Sequence, residues 1–198
     1  ALPAARIEAN RDLATYQGWM LALTGDIASA EAMIAAVETA LDRQAHPEAQ
    51  ARLLVLRAFI ALLAHQAYES AVALTQEALQ LLTSRPCAWR VIALWILAEA
   101  LERTRPITEA IAAFRKAREA GLDSANQIFV ATVEMSLAMA LNHNGRRRAA
   151  IEVCEEAIAR YTDDEGNVSP LASLILTRLG VLYYEANQLA LAQECHEQ

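Results

Sequence analysis

The sequence predicts an all-α fold, a right-handed α-α superhelix of about five helical hairpins. Composition is the first observation behind this prediction. Hydrophobic residues make up 55% of the chain, Ala and Leu dominate among them, and Gly and Pro number only six and five. Ala and Leu lose little conformational freedom in a helix, and no long run alternates apolar and polar residues as a strand would. The second observation is a repeat with a period of about 40 residues.

The repeat is defined by five blocks that begin with Leu or Tyr, carry a turn residue at their fifth position and end in Ala. They are LALTGDIASA (21–30), LLAHQAYESA (62–71), LERTRPITEA (101–110), LNHNGRRRAA (141–150) and YYEANQLALA (183–192). Their final alanines are separated by 41, 39, 40 and 42 residues. Each block predicts a helix–turn–helix in which a small Ala lets two antiparallel helices approach closely.

Chain breakers separate the hairpins at Ala45-His46-Pro47, at Ser84-Arg85-Pro86, at residues 121–124 and along the polar run 162–170. The predicted hairpins are 4–44, 48–83, 87–120, 124–161 and 170–198, the last one truncated, and together they form one domain, 1–198. Within them, the predicted helices cover 4–23, 27–44, 48–65, 68–83, 87–104, 107–120, 124–143, 147–161, 170–186 and 189 onward.

The turn residues differ in how readily they allow a left-handed backbone. Gly25, Gly145 and Asn187 favour it, whereas Gln66 and Arg105 are weaker turn residues. Pro106 suits the start of the helix that follows Arg105.

Charge and motif content exclude several classes of function. A net charge of −7 argues against a phosphate-binding face, and no apolar run is long enough to span a membrane. Three widely spaced cysteines form no disulfide framework, and the first residues do not resemble a signal peptide, so we expect a cytoplasmic protein. Metal-ligand motifs, CxxC pairs and glycine-rich phosphate loops are absent from the sequence. We therefore expect no catalysis, no metal and no cofactor in this segment.

Three sets of small and turn residues resemble tetratricopeptide repeats (TPRs): Gly18 with Gly25 and Ala30, Ala98 with Ala110 and Ala117, and Gly180 with Asn187 and Ala192. The period exceeds the 34 residues usual for TPRs, which implies longer helices. Residues 51–82, 135–161 and 169–197 resemble the helical-repeat domain of LuxR-type transcription regulators of the maltose-regulon activator group, the large ATP-dependent LuxR proteins.

This resemblance implies that the first helix of each hairpin lines a concave binding face. Aligned from the turn residues, the stripe facing it is predicted to comprise Thr15, Trp19, Ile60, Trp95, Glu99, Arg103, Met135, Met139, His143, Thr177 and Tyr184. Aromatic and Met side chains mixed with a few charges are typical of binding grooves.

The resemblance further implies a non-catalytic sensor segment that binds an inducer or a partner protein and relays the signal to nucleotide-binding and DNA-binding domains outside these residues. The expected partners are a protein or peptide and a small-molecule inducer, with self-association as a further expectation and without direct contact to nucleic acid or membrane. The alternative is a TPR scaffold or chaperone-type adaptor that is not linked to transcription.

Overall fold

The computed structural model of the chain describes residues 11–39, 46–82, 87–124 and 126–197. Within these ranges the regular secondary structure is helical, apart from one isolated antiparallel bridge between Thr162 and Val168. The helices described there are α1 (Arg11–Leu23), α2 (Ile27–Thr39), α3 (Pro47–Leu63), α4 (Tyr68–Leu81), α5 (Ala88–Thr104), α6 (Ile107–Asp123), α7 (Gln127–His143), α8 (Arg147–Arg160), α9 (Ala172–Glu185) and α10 (Leu189–Glu197). The described residues confirm the predicted all-α class.

Most helix ends lie within one to two residues of the predicted ends, but the corner between α6 and α7 differs. The helix was predicted to stop at residue 120, yet α6 continues through Gly121 to Asp123. Gly121 allows α6 and α7 to pack closely, because a Cβ on it would lie 2.8 Å from Val130 Cγ2. Helix α7 starts at Gln127 rather than 124, since the Asn126 side chain caps it by accepting a hydrogen bond from the backbone N–H of Phe129. The predicted ends at 4, 44, 83 and 198 lie outside the described residues.

The turns inside the hairpins follow the predicted positions in four of the five repeats. Positive φ angles occur at Gly25 (84°), Gln66 (52°), Gly145 (73°) and Asn187 (58°). Arg105 is the exception. Pro106 follows it, and a proline disfavours helical backbone geometry at the residue that precedes it. The chain there enters α6 through Pro106 at φ −54°.

The predicted small residues lie at the contacts between helices. Ala30, Ala71, Ala110 and Ala150 are fully buried, and Ala192 is 6% exposed. Beyond its own hairpin partner, α3 contacts α1 and α2, and α9 contacts α7 and α8. The first helix of a hairpin therefore packs on both helices of the hairpin before it, which is the stacking that helical repeats require.

Two compact units divide the chain, and each has its own core. The first comprises Ala1–Arg85 with Ile92–Thr104, and the second comprises Pro86–Val91 with Arg105–Gln198. The core of the first unit includes Ala14, Met33, Val37 and Leu53, and large buried side chains of the second include Phe114, Leu137, Leu141, Ile175 and Leu182. The prediction of a single domain stays a prediction. Among the described residues, no helix is both long and apolar enough to cross a membrane.

Ala110→Leu and Ala150→Leu test the register of the repeat. Both alanines are fully buried between helices, so the larger side chain should overpack the contact and lower the free energy of unfolding by about 1–3 kcal/mol. Urea denaturation followed by circular dichroism measures the loss. Glu152→Ala is the matched control in the same part of the chain, because Glu152 is exposed and pairs with Arg148 one turn away. It should change stability by less than about 0.5 kcal/mol, and equal losses would refute the register.

Candidate functional site

A row of three aromatic rings crosses the first helices of three successive hairpins in the first unit. Trp19 of α1, Phe59 of α3 and Trp95 of α5 form the row. The ring centroids of Trp19 and Phe59 are 4.5 Å apart, and those of Phe59 and Trp95 are 6.4 Å apart. The two tryptophans are half-buried, whereas Phe59 is 4% exposed. The row therefore joins two partly accessible indole rings through a buried phenyl ring.

Phe59 occupies a position that is small in the other repeats. It lies seven residues before the turn residue of its hairpin, where the other repeats have Gly18, Ala98, Ala138 and Gly180. In α1 this position has little space, because a Cβ on Gly18 would lie 2.9 Å from Leu56 Cδ2. The second hairpin accommodates a phenyl ring at this position, and the ring bridges the two tryptophans.

Polar groups orient one end of the aromatic row. The Trp95 indole N–H donates a hydrogen bond to Glu99 Oε1, 3.1 Å away and one helical turn further along α5. Arg103 follows one turn later and is exposed. Along α5, an aromatic face is thus continued by a carboxylate and then by an accessible guanidinium.

Two residues of the predicted stripe are core residues instead. Thr15 and Ile60 are each 3% exposed, so neither presents a surface to a partner. Ile60 points toward the contact between α2 and α3, where a cavity of about 230 Å³ is lined by Glu31, Ile34, Arg57, Ile60, Ala61 and His65. On α3 the side chain that faces the two tryptophans is Phe59, one residue before the predicted Ile60.

The predicted residues of the second unit lie along α7 and α9. Met135 and Met139 are half-buried on α7, and His143 is exposed at its end. On α9, Thr177 is exposed, and Tyr184 is 69% exposed. The Thr177 hydroxyl donates to the carbonyl of Ser173 within its own helix. The structure thus places a Met pair on one helix and an accessible tyrosine on another, and their binding role stays a prediction.

A buried charged cluster in the second unit was missed at the sequence level. The side chain of Glu134 on α7 is fully buried, and its Oε1 accepts hydrogen bonds from Arg118 Nε (2.9 Å) and Arg160 Nη1 (2.6 Å). Arg118 also donates through Nη2 to Glu156 Oε2 at 2.9 Å. The sequence did contain a signal for this cluster, since Glu134 is the one carboxylate in the mainly apolar sequence of α7. A buried acid requires paired cations, so this residue could have predicted arginines nearby.

The electrostatics of this cluster indicate a structural role. Burial alone would lower the pKa of Arg118, but the hydrogen bonds and charges of Glu156 and Glu134 outweigh it and raise that pKa. Burial, and secondarily the charge of Glu134, raises the pKa of Tyr161, whose hydroxyl donates to the carbonyl of Gln127. The Arg118 guanidinium therefore stays charged, and the Tyr161 phenol stays protonated, at neutral pH.

Potential metal ligands are not clustered into a metal site within the described residues. No group of three His, Cys, Asp or Glu side chains there could hold a metal ion. Burial raises the pKa of the Cys154 thiol to about 12, so this thiol is protonated at neutral pH. Cys87, Cys154 and Cys195 are free thiols.

The sequence was compared with models of protein families. The family model described as the MalT-like TPR region matches residues 51–198. None of the curated proteins matches the chain significantly.

Solved structures similar to the chain share its architecture at low sequence identity. BtubC (BKLC) from P. vanneervenii has a TM-score of 0.64 and 16% identity, with 98% of this chain and 89% of that chain covered. Nearly identical TPR-like repeats of a kinesin light chain from Podosopora anserina have a TM-score of 0.64 and 17% identity, with coverages of 100% and 94%. MamA AMB-1 has a TM-score of 0.54 and 17% identity, with coverages of 93% and 94%. These likenesses confirm the predicted TPR-like fold class.

Glu134→Gln tests whether the buried charge organises α6, α7 and α8. The substitution leaves two guanidinium groups facing a neutral amide, and the free energy of unfolding should fall by about 3 kcal/mol. Glu156→Gln is the matched control, because Glu156 pairs with the same Arg118 but its side chain is 62% exposed. Its cost should stay below about 1 kcal/mol in the same urea titration. Similar losses for both variants would contradict a special role for the buried carboxylate.

Proposed function

Because the chain belongs to the family of MalT-like TPR regions, we propose that it is the interaction segment of a LuxR-type transcription regulator. In this proposal the segment is non-catalytic, carries no cofactor of its own and acts in the cytoplasm. It binds a partner protein, a peptide or a small-molecule inducer, and it relays binding to nucleotide-binding and DNA-binding domains elsewhere in the protein.

The aromatic row supports this role more than any other described feature. Half-buried tryptophans supply much of the binding energy at protein interfaces, since they offer a large apolar area with few rotatable bonds. Trp95 is held by Glu99, so part of the ordering cost of binding is already met before a partner arrives. Arg103, exposed on the same helix, would add a charged contact at the edge of this surface.

The same geometry supports a mechanism for relaying the signal. The three rings belong to α1, α3 and α5, so a ligand that shifts either indole also shifts Phe59 in the core. Packed aromatic contacts have few alternative arrangements, and a ligand would therefore favour one relative placement of these helices over another. We propose that this population shift is what the neighbouring domains sense.

The second candidate function is a general TPR scaffold that is not linked to transcription. The solved structures named above favour it, since their likeness extends over nearly the whole chain. The gene sequence on either side of residues 1–198 distinguishes the two candidates. A phosphate-binding loop upstream and a helix-turn-helix downstream support the regulator, whereas further repeats without either domain support the scaffold.

Trp95→Ala and Trp19→Ala test the binding surface directly. Short peptides are selected from a random display library on the immobilised chain, and their affinities for the wild type and the variants are measured by calorimetry. Because each variant removes a half-buried indole, we expect affinity to fall by about tenfold or more. Circular dichroism establishes that each variant remains folded.

Leu122→Ala is the matched control for this experiment. Leu122 is an apolar residue on α6 in the second unit and is 45% exposed. Its truncation should leave peptide affinity unchanged within about twofold, since it lies outside the aromatic row. Peptides that bind the tryptophan variants as well as the wild type would place the binding surface elsewhere.

A further inference from the structure

The cavity between α2 and α3 combines an apolar floor with a charged edge. Three buried side chains form the floor, Ile34, Ile60 and Ala61. Three side chains that are 53%, 43% and 51% exposed form the edge, Glu31, Arg57 and His65. Apolar walls with a few polar groups that fix orientation are the arrangement found in binding sites for small molecules.

This charged edge is a departure from the repeat. Counted from the turn residue, the equivalents of Glu31 in the next three hairpins are apolar, namely Val72, Ile111 and Ile151. The equivalent of Ile34 on α6 is Phe114, whose ring is fully buried. Where α6 carries a buried apolar pair, α2 therefore carries a carboxylate and a shorter side chain, and an open cavity lies beside them. The packing of hairpins does not require a carboxylate at this position, since the other hairpins pack with apolar residues there.

The charged groups are held in place and can still bind a ligand. Since a carboxylate only accepts, His65 Nε2 donates to Glu31 Oε1, 2.9 Å away. Arg57 Nη2 donates to Glu38 Oε2 at 2.7 Å. A guanidinium has five N–H donors and a carboxylate has two acceptor oxygens, so Arg57 and Glu31 can each bind a ligand without losing these partners. Because the partners orient both side chains beforehand, less conformational freedom is lost on binding.

We propose that this cavity binds a free α-amino acid with an aliphatic side chain of about the size of leucine. Arg57 donates to the carboxylate of the amino acid, for which a guanidinium has matching geometry, and Glu31 accepts from its ammonium group. The aliphatic side chain lies on the apolar floor, Ile34, Ile60 and Ala61. A ligand with a single charge would satisfy only one of the two charged groups.

The size of the cavity favours such a small metabolite. Its volume of about 230 Å³ is below the roughly 300–1,000 Å³ of pockets that hold drug-sized ligands.

Amino-acid binding here goes beyond the proposed function, because the cavity is separate from the aromatic row. Phe59 faces the two tryptophans, whereas the next residue, Ile60, lines the cavity. The two kinds of binding are measured independently, so the failure of one does not decide the other.

Calorimetry on the chain 1–198 tests the proposal with L-leucine, L-isoleucine and L-valine. At least one of them should bind saturably with one molecule per chain. Two analogues of leucine then test the recognition of both charges: isocaproate lacks the ammonium group, and isoamylamine lacks the carboxylate. Each should bind about tenfold or more weakly than leucine, because a hydrogen bond to a charged group is lost.

Three variants test the residues of the cavity. Arg57→Gln and Glu31→Gln should each weaken amino-acid binding about tenfold or more, since each removes one charged partner of the ligand. Ile34→Phe introduces the residue that α6 has at this position, and it should abolish binding by filling the cavity. Arg148→Gln is the matched control, because Arg148 is also an exposed arginine paired with a glutamate but lies on α8, outside the cavity. It should bind as the wild type does.

Four results would overturn the proposal. They are a wild type that binds none of the three amino acids, a single-charge analogue that binds as tightly as leucine, an Arg57→Gln chain with unchanged affinity, and a folded Ile34→Phe chain with unchanged affinity. Circular dichroism establishes that each variant is folded. Arg57→Gln and Glu31→Gln change partly exposed side chains, so they decide the outcome even if Ile34→Phe does not fold.

Discussion

Close approach between helices at small side chains is the constraint on which this structure depends. Ala30, Ala71, Ala110 and Ala150 are fully buried at equivalent positions five residues after each turn. A contact of this kind fixes the spacing of two helices because the backbones themselves are nearly in contact, and larger side chains around it then fill the remaining volume. The spacing of the two helices within a hairpin therefore depends on the alanine at this position.

The aromatic row arises where that constraint is relaxed. Four repeats use Gly or Ala seven residues before the turn, and the second repeat uses Phe59. A ring at this position cannot sit in the close helix contact that a glycine permits, so it extends toward the neighbouring first helices and meets Trp19 and Trp95. A single departure from the repeat thus converts a packing position into the centre of a surface feature that differs from the rest of the array.

Features of this structure that depend on short segments of the chain could be predicted from the sequence, whereas features that depend on tertiary contacts could not. Turns at Gly25, Gly145 and Asn187 and most helix ends could be predicted, because φ preferences and apolar period are properties of short segments. The turn at Gln66 was located by the spacing of the repeat instead. Gly121 was misread as a helix end, since its close contact with Val130 is tertiary. Trp19 and Trp95 were predicted for the site, but Phe59 was missed and Ile60 was chosen in its place. One residue on a helix is a rotation of about 100°, and only packing decides which side chain faces the neighbouring rings.

The buried carboxylate on α7 has a consequence for the order in which the hairpins stack. Small-residue contacts are alike in every repeat, so they cannot distinguish one neighbour from another. Glu134 can, because its equivalents Ala14, Val55, Leu94 and Leu176 are apolar, and the positions equivalent to Arg118 in α2, α4 and α8 hold Glu38, Leu79 and Ile158. If α7 docked on one of those helices, the buried carboxylate would keep Arg160 of its own hairpin but lose the guanidinium of Arg118, which is unfavourable. The cluster therefore makes α6 the favoured neighbour of α7 within a repetitive chain, and it destabilises arrangements in which the hairpins stack in the wrong order during folding.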